Sequence, residues 1–328
     1  MKQKSELRAR NSGYRIFLPL LCILCSAFFF LGCSNQRAAT DSGPDLKNSK
    51  QQYAPPDFSA PPIILSILPV ESAGAMYKRF LPLKYHIEKT LKVPVVIRIA
   101  RDYESAINEI GSGKVHMAYL DPATYCEVRA RYKDRVTPLV RALGKEDATS
   151  RSVLVAKNGG SVEKLVDVRG KRLALGNQQS SFSYLIPLAM LNDVGIGIKD
   201  FASVDYLQQE DRVALSVLVG NHDVGAMSEP VAAKYVEDGL KIIKRSEVIP
   251  PFVLCASNIL STEKKRDIIK SLVTPKGSET LSTIDKDMEG FITAEDRDFD
   301  MVRVMIKNLT GKDYIEYGPR TIKVAVLP

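Results

Sequence analysis

Short apolar runs alternate with longer stretches of helical spacing from Ile63 onward. Apolar runs that end at Pro, Gly or charged residues predict buried strands, whereas apolar positions three and four residues apart predict amphipathic helices. The predicted strands are Ile63–Leu68, Val95–Ala100, Val115–Leu120, Ser152–Ala156, Arg172–Leu175, Ala202–Val204, Asp223–Met227, Lys241–Ile243 and Phe252–Ala256. The predicted helices are Ala73–Leu91, Tyr103–Ile110, Pro122–Arg131, Ser183–Val194, Asp211–Val219, Thr262–Leu272 and Glu295–Leu309.

This alternation falls into two blocks, and we therefore predict an α/β fold with two lobes. Strand–helix–strand repeats favour parallel sheets that are flanked by helices. One lobe is expected at residues 63–140 together with 252–328 and the other at residues 141–251, hinged on two crossing strands. Because ligands of open α/β sheets bind beyond the carboxyl ends of the strands, the cleft between the lobes is the predicted site.

A basic segment followed by an uncharged apolar run opens the chain. Residues 1–32 contain five basic residues and one acidic residue, and the run from Ile16 to Gly32 is uncharged. This arrangement is typical of a secretory signal. The run ends in Phe30-Leu31-Gly32-Cys33, which resembles a bacterial lipobox, with Gly32 before the scissile bond and Cys33 as the lipidated thiol. A plain signal peptide and an uncleaved N-terminal helix are the alternatives.

Residues 33–62 contain many Pro, Ser and Gln residues and show no apolar period. Such a composition predicts a disordered or extended tether. Together with a lipid on Cys33, the tether predicts a globule held at a membrane surface. We expect it in the cell envelope, facing the periplasm or the outer side of the cytoplasmic membrane.

The formal net charge of +8 changes this picture little, because residues 1–32 contribute +4 of it. The remainder has no basic stripe with interleaved aromatic residues, and we therefore expect no nucleic-acid partner. Only Cys126 and Cys255 lie beyond the signal and Cys33. In an oxidising compartment these two cysteines either form a disulfide or stay as buried free thiols.

The motifs of common enzymes and metal sites are missing from the sequence. It has three His, no His-x-x-x-His spacing, no Gly-x-Ser-x-Gly elbow and no Walker loop, and its one Cys-x-x-Cys spacing, Cys22 to Cys25, lies within the predicted signal. These spacings mark zinc sites, serine hydrolases and nucleotide hydrolases. We therefore predict a protein that is not an enzyme, with no metal, no cofactor and no catalytic residue.

The clearest candidate for ligand contact is the segment Gly176–Pro187, between a predicted strand and a predicted helix. A helix start offers unpaired N–H groups and a partial positive charge, which favour anions. Ser180, Ser181 and Ser183 add hydroxyl groups at the same place. A helix cap needs only one such residue. The three serines favour ligand contact, with simple capping as the alternative.

This segment resembles the motif Gly-Asp-Pro-x-Ser-Thr-Ser-Gly-Tyr-Leu-x-Pro of the phosphate/phosphite/phosphonate-binding proteins of ABC importers, the PhnD-like family. Further similar segments follow in the family's order between about residues 63 and 310: Leu68–Glu71, Phe80–Leu83, Asp102–Tyr103, Gly113–Pro122, Asp167–Arg172, Val217–Ala226 and Ser246–Pro251. The resemblance implies a type 2 periplasmic-binding fold with a hinge and a ligand cleft between two lobes. It also implies a substrate-binding protein, which we expect to be a monomer.

The resemblance also implies the ligand contacts. It assigns them to Ser180 and Ser181 at the turn, to the cleft tyrosines Tyr103 and Tyr125, and to Asp223 at the position of an acceptor for a ligand amine. Ser183, which adds a hydroxyl where the family has Gly, and Glu71, which follows the first strand, are further candidates. Three other residues depart from the family: Phe182 replaces a hydroxyl, Glu210 replaces His, and Asp121 replaces Gly. Glu210 and Asp121 are acidic and bear directly on the charge of the ligand.

The sequence thus predicts a lipid-anchored protein that captures phosphonate, phosphite or phosphate by lobe closure and presents it to an ABC permease. One alternative is a lipoprotein that signals ligand occupancy to a membrane sensor. Another is a binder of an amine-bearing small molecule, since Glu210 and Asp223 are acceptors for a cationic group. The third alternative is an enzyme on the same scaffold, with Glu210 or Asp223 as its base.

Overall fold

The computed structural model describes residues 59–144, 151–274, 282, 284 and 288–314, all within one compact unit. The predicted signal, Cys33 and residues 33–58 of the predicted tether lie outside the described residues. None of the helices in the described ranges combines the length and hydrophobicity that a membrane span requires.

Strands and helices alternate through the described residues. The strands are β1 (Ile63–Ile67), β2 (Val95–Ile99), β3 (Met117–Leu120), β4 (Val136–Gly144), β5 (Ser152–Lys157), β6 (Arg172–Leu175), β7 (Ser203–Tyr206), β8 (Val224–Ser228), β9 (Leu240–Arg245), β10 (Val253–Ser257) and β11 (Met288–Thr293). The helices are α1 (Ala73–Leu91), α2 (Tyr103–Ser112), α3 (Pro122–Tyr132), α4 (Ile186–Asn192), α5 (Glu210–Leu218), α6 (Glu229–Ala233), α7 (Thr262–Leu272) and α8 (Asp300–Thr310). A π-helical turn, Ser181–Leu185, leads directly into α4.

The strands form two sheets, in the orders β11-β4-β10-β3-β1-β2 and β7-β6-β8-β5-β9. Strand β1 is parallel to β2 and β3, and β6 is parallel to β7 and β8, as predicted. Strand β10 is antiparallel to β3 and β4, and β5 is antiparallel to β8 and β9, so antiparallel strands complete both sheets and make them mixed. The chain passes from one sheet to the other after β4 and returns after β9.

Strands β4 and β11 and the short helix α6 were missed from the sequence. Proline lacks a backbone donor and usually excludes a segment from an inner strand. Here Pro138 lies in β4 opposite Cys255, where the pairing with β10 shifts register. Strand β11 is an edge strand that contains Glu289 and Gly290, so its apolar pattern is weak. Both strands are stabilised by their neighbours rather than by local sequence.

Apolar side chains of the first sheet pack under α1 and α2 in one core, and the second sheet has a core on each of its faces. A row of aromatic rings joins the cores. Phe182 stacks on Phe252 at a centroid distance of 5.4 Å, and Phe252 stacks on Tyr119 at 5.2 Å. Phe252 belongs to the segment that returns the chain to the first sheet. Phe182 therefore has a packing role at the position where the family has a hydroxyl.

Cys126 and Cys255 are both free and buried. The Cys126 thiol donates to the Phe299 carbonyl and the Cys255 thiol to the Ala118 carbonyl. Burial raises the pKa of each thiol to about 12, which keeps both protonated and unreactive near neutral pH. Of the two alternatives left by the sequence, the structure shows the free thiols.

Gly225 in β8 is packed so closely that a side chain cannot be added without strain. A Cβ atom there would lie 2.8 Å from Val213 and 2.9 Å from Val217, both on α5. We expect Gly225→Ala to lower the free energy of unfolding by about 1–3 kcal/mol, the usual range for overpacking a core, in urea denaturation. Gly74→Ala is the control, because a Cβ at Gly74 meets no heavy atom within 4 Å. Equal effects of the two substitutions would contradict the packing argument.

Candidate functional site

The segment that contains Ser180, Ser181 and Ser183, here called the serine turn, follows β6 and is held in place by Gly176. The Gly176 N–H donates to the Ser183 carbonyl at 3.0 Å, and a Cβ at Gly176 would lie 2.1 Å from the Ser183 Oγ. Ser180 accepts the Ser183 N–H at 3.3 Å and so caps the turn. Ser180, Ser181 and Ser183 are all buried. Only a glycine at 176 allows the turn to fold back this closely.

This turn contacts the start of α3, which continues from the carboxyl end of β3. The Ser181 Oγ accepts the Ala123 N–H at 2.6 Å, and the Ser181 N–H donates to the Asp121 Oδ2 at 2.9 Å. The Thr124 hydroxyl donates to the Gln179 carbonyl at 3.2 Å. β3 and β6 belong to different sheets, so these bonds join the two halves of the fold at the carboxyl ends of their strands.

Tyr103 and Glu210 lie beside the serine turn. The Ser180 side chain is close enough to the Tyr103 hydroxyl to lower the pKa of the phenol. Burial raises the pKa of Tyr103, and the nearby carboxylates of Asp121 and Glu210 raise it further. Burial likewise raises the pKa of Asp121, although the N–H groups of Thr124 and Ser181 oppose this shift. The site therefore contains a phenol that stays protonated and carboxyl groups that resist ionisation.

Glu210 starts α5 and lies in the same buried region. Its carboxylate accepts the Ser228 N–H at 3.0 Å and the Ser228 hydroxyl at 2.6 Å, while its own N–H donates to the Val70 carbonyl at 2.8 Å. Burial raises the pKa of Glu210 to about 7, and the Asp121 charge acts in the same direction. Near neutral pH Glu210 is consequently divided between its protonated and ionised forms.

Glu71, in the loop after β1, forms a second bridge between the halves. Its buried carboxylate pairs with Arg79 of α1 and with Lys234, which follows α6. Its carbonyl accepts the Gln209 side-chain amide at 3.0 Å. Glu71 thus joins a cation from each half of the fold.

Two of the predicted site residues are not brought to the turn. The Tyr125 hydroxyl donates to the Asp296 Oδ1 at 2.9 Å inside the core of the first sheet. Asp223 precedes β8, at the opposite end of that strand from Ser228, and pairs with Arg172 at 2.9 Å. The Arg172 hydrogen bonds lower the pKa of Asp223 to about 2. The Tyr125 hydroxyl is thus bonded to a carboxylate and the Asp223 carboxylate to a guanidinium, both within the protein, and a ligand contact by either residue stays a prediction.

Sequence reasoning missed several residues of the site, namely Arg79, Thr124, Ser228 and Lys234. Ser228 was detectable, because it ends an apolar strand just as the serine turn follows one. Arg79 and Lys234 are recognisable only through Glu71, which is distant from Lys234 in sequence. A cavity of about 60 Å³ lies beside Arg79 and Ser228, and its other walls are mostly apolar, including Met76, Phe80 and Phe252.

Comparisons with known proteins agree with this architecture. The family model described as the periplasmic phosphonate substrate-binding protein of ABC transporters matches residues 65–299. The phosphate-import protein PhnD of Mycolicibacterium smegmatis is 23% identical over 249 residues, which cover 70% of this chain and 76% of that protein.

Two solved structures share the fold. PhnD1 from Prochlorococcus marinus, solved in complex with methylphosphonate, has a TM-score of 0.68 at 16% identity and covers 75% of this chain and 97% of its own. A binding protein of an ABC phosphonate transporter from Pseudomonas aeruginosa has a TM-score of 0.67 at 19% identity and covers 75% of this chain and 85% of its own. These likenesses confirm the predicted two-lobed periplasmic-binding fold. With most of its length matched by the family model, this chain belongs to the phosphonate-binding periplasmic proteins that serve ABC transporters as substrate receptors.

Proposed function

We propose that this chain captures a small oxyanion, such as phosphonate, phosphite or phosphate, by closing two lobes over the serine turn and delivers it to an ABC permease. The lobes comprise residues 63–140 with 252–328 and residues 141–251, and Cys33 carries the lipid that keeps the protein at the membrane. One observation supports the proposal above all. Ser181 forms hydrogen bonds across the two halves, from its N–H to Asp121 and from the Ala123 N–H to its Oγ.

The donors at this meeting point suit an oxyanion. The hydroxyls of Ser180 and Ser181, the Ser181 N–H and the Ala123 N–H converge there from different sheets. Hydrogen bonds to a charged group contribute about 1.5–3 kcal/mol each, so a few of them account for tight binding. The named relatives support the same chemistry, since one was solved with methylphosphonate and another is a phosphate-import protein.

Lobe closure supplies the signal for transport. A ligand that touches donors of both lobes binds the closed arrangement better than an open one and shifts the population toward it. The described crossing from β9 to β10, residues 246–252, is a segment that absorbs such a hinge motion.

Thermal denaturation with a ligand panel tests this function. We expect methylphosphonate, phosphite or phosphate at about 100 times the dissociation constant to stabilise the folded protein by about 2.7 kcal/mol. Ser181→Ala removes the acceptor of the Ala123 N–H and one donor, and we expect it to weaken oxyanion binding at least tenfold. Ser112→Ala is the control, because Ser112 is exposed at the end of α2 and bonds only within that helix.

A second candidate ligand is favoured by a specific observation. Asp121 and Glu210 place two buried carboxyl groups within the same region, and these are acceptors for an ammonium group. An amine-bearing small molecule would neutralise their charge. Stabilisation by a panel of amines, with none by the oxyanions, would reject the oxyanion and support this candidate.

A further inference from the structure

The two carboxylate oxygens of Asp121 have different partners. Asp121 precedes α3, and its Oδ1 accepts the Thr124 N–H at 2.9 Å, which is the usual bond of a helix cap. Its Oδ2 accepts the Ser181 N–H at 2.9 Å, which belongs to the other half of the fold. Capping therefore uses only one oxygen, and the second reaches the serine turn.

Asp121 accepts a hydrogen bond from the Ser181 N–H, which is one of the donors that the proposed function assigns to the ligand. The side chain is fully buried, so water does not provide alternative partners for the carboxylate. A carboxylate oxygen and a phosphonate or phosphate oxygen are both anionic acceptors with the same demand for N–H and O–H donors. One N–H group does not serve both at full strength, and two unscreened negative charges at the same donors repel each other.

We infer that Asp121 is an intramolecular competitor of the ligand, because its carboxylate occupies the oxyanion position at the serine turn. An oxyanion binds only after this carboxylate has released the Ser181 N–H. Asp121 thus sets the affinity of the site and the threshold of ligand concentration at which the lobes respond. This inference rests on the proposed function and names the residue that regulates it.

A simple capping role for Asp121 predicts a different outcome, and the variant Asp121→Ser separates the two. Serine is as good a helix cap as aspartate, so α3 keeps its first hydrogen bond. The shorter hydroxyl side chain carries no charge and has no second carboxylate oxygen for the Ser181 N–H. A capping role predicts unchanged ligand binding in this variant, whereas competition predicts tighter binding.

Isothermal titration calorimetry of the purified full chain with methylphosphonate and with inorganic phosphate measures the ligand affinities of the wild type and of Asp121→Ser. We expect Asp121→Ser to bind one of these oxyanions at least tenfold more tightly than the wild type. Asp102→Ser is the matched control: Asp102 caps α2 by accepting the Ser105 N–H at 2.7 Å and makes that bond within its own half of the fold. Its affinity is expected to equal that of the wild type.

Equal or weaker binding by a folded Asp121→Ser protein overturns the competition and leaves the proposed function standing. Binding by neither the wild type nor the variant overturns the competition and the proposed function together. Should Asp121→Ser fail to fold, Asp121→Asn provides the same comparison, because asparagine also caps helices, nearly keeps the side-chain volume and removes the charge. Tighter binding by this variant supports the inference, and unchanged or weaker binding overturns it.

Discussion

Arg303→Met is expected to lower the free energy of unfolding by about 3 kcal/mol, the scale for breaking a buried ion pair by removing one partner. Arg303 is 1% exposed and bonds the Asp296 Oδ1 at 2.7 Å and the Asp300 Oδ1 at 2.8 Å. Burial alone would raise the pKa of Asp296, but Arg303, Tyr125 and Arg129 hold it below its ordinary value. Without Arg303 a buried carboxylate loses its principal countercharge. Urea denaturation near pH 7 measures the loss.

The matched control for this prediction is Arg297→Met. Arg297 pairs with Glu295 at 2.7 Å, but the two side chains are 68% and 60% exposed. Solvent screens such a pair, and its removal is expected to cost no more than about 1 kcal/mol. If the two substitutions cost the same, the Asp296 site does not depend on a desolvated charge pair, and the account of this core is wrong.

The sequence predicted the parts of the fold that depend on local pattern. The apolar run of β1 and the helical spacing of α1 were visible because β1 is buried on both faces and α1 buries one face. Strand β4 was not visible, because its Pro138 is tolerated only at the register shift opposite Cys255. That register shift arises from the pairing between two strands far apart in the chain, so the sequence of either strand alone does not predict it.

The same distinction applies to the site. The serine turn was predictable because three serines follow an apolar strand and precede a helix. Asp223 precedes its strand, where the amino ends of β6 and β8 meet, and its pairing there with Arg172 was not visible from the sequence. Tyr125 lies one turn into α3, and its direction is set by Asp296, a contact between segments far apart in the chain.

The buried carboxylates of Glu71 and Glu210 are compensated in different ways. Glu71 is buried but is paired with Arg79 and Lys234, so its charge is compensated. Glu210 relies mainly on the hydroxyl and N–H of Ser228, with Arg79 contributing at longer range. Neutral donors compensate a buried charge less completely than a direct ion pair. The difference makes ionisation of Glu210 costly to the folded state.

Glu210→Gln is expected to change the pH dependence of stability. Burial raises the pKa of Glu210 from its ordinary 4.5 to about 7, so the folded protein holds this proton more tightly than the unfolded chain. Stability is therefore lost as the pH rises from the unfolded to the folded pKa, and a shift of this size corresponds to about 3 kcal/mol. Glutamine does not titrate and can still bond Ser228. Between pH 5 and pH 8 we expect the free energy of unfolding of the variant to rise by about 2–3 kcal/mol relative to that of the wild type.

Denaturation curves of both proteins at several pH values give this difference directly. Glu163→Gln is the control, because the Glu163 side chain is 68% exposed, and the difference from the wild type should stay nearly constant with pH. Asp121 and Arg79, the charged neighbours of Glu210, are present in both proteins, so the difference measures the ionisation of Glu210 together with its coupling to them. A flat difference for Glu210→Gln would mean that Glu210 is hydrated or paired when ionised. In that case its carboxylate would be as accessible to an ammonium group of a ligand as to Ser228, and the second candidate ligand would gain support.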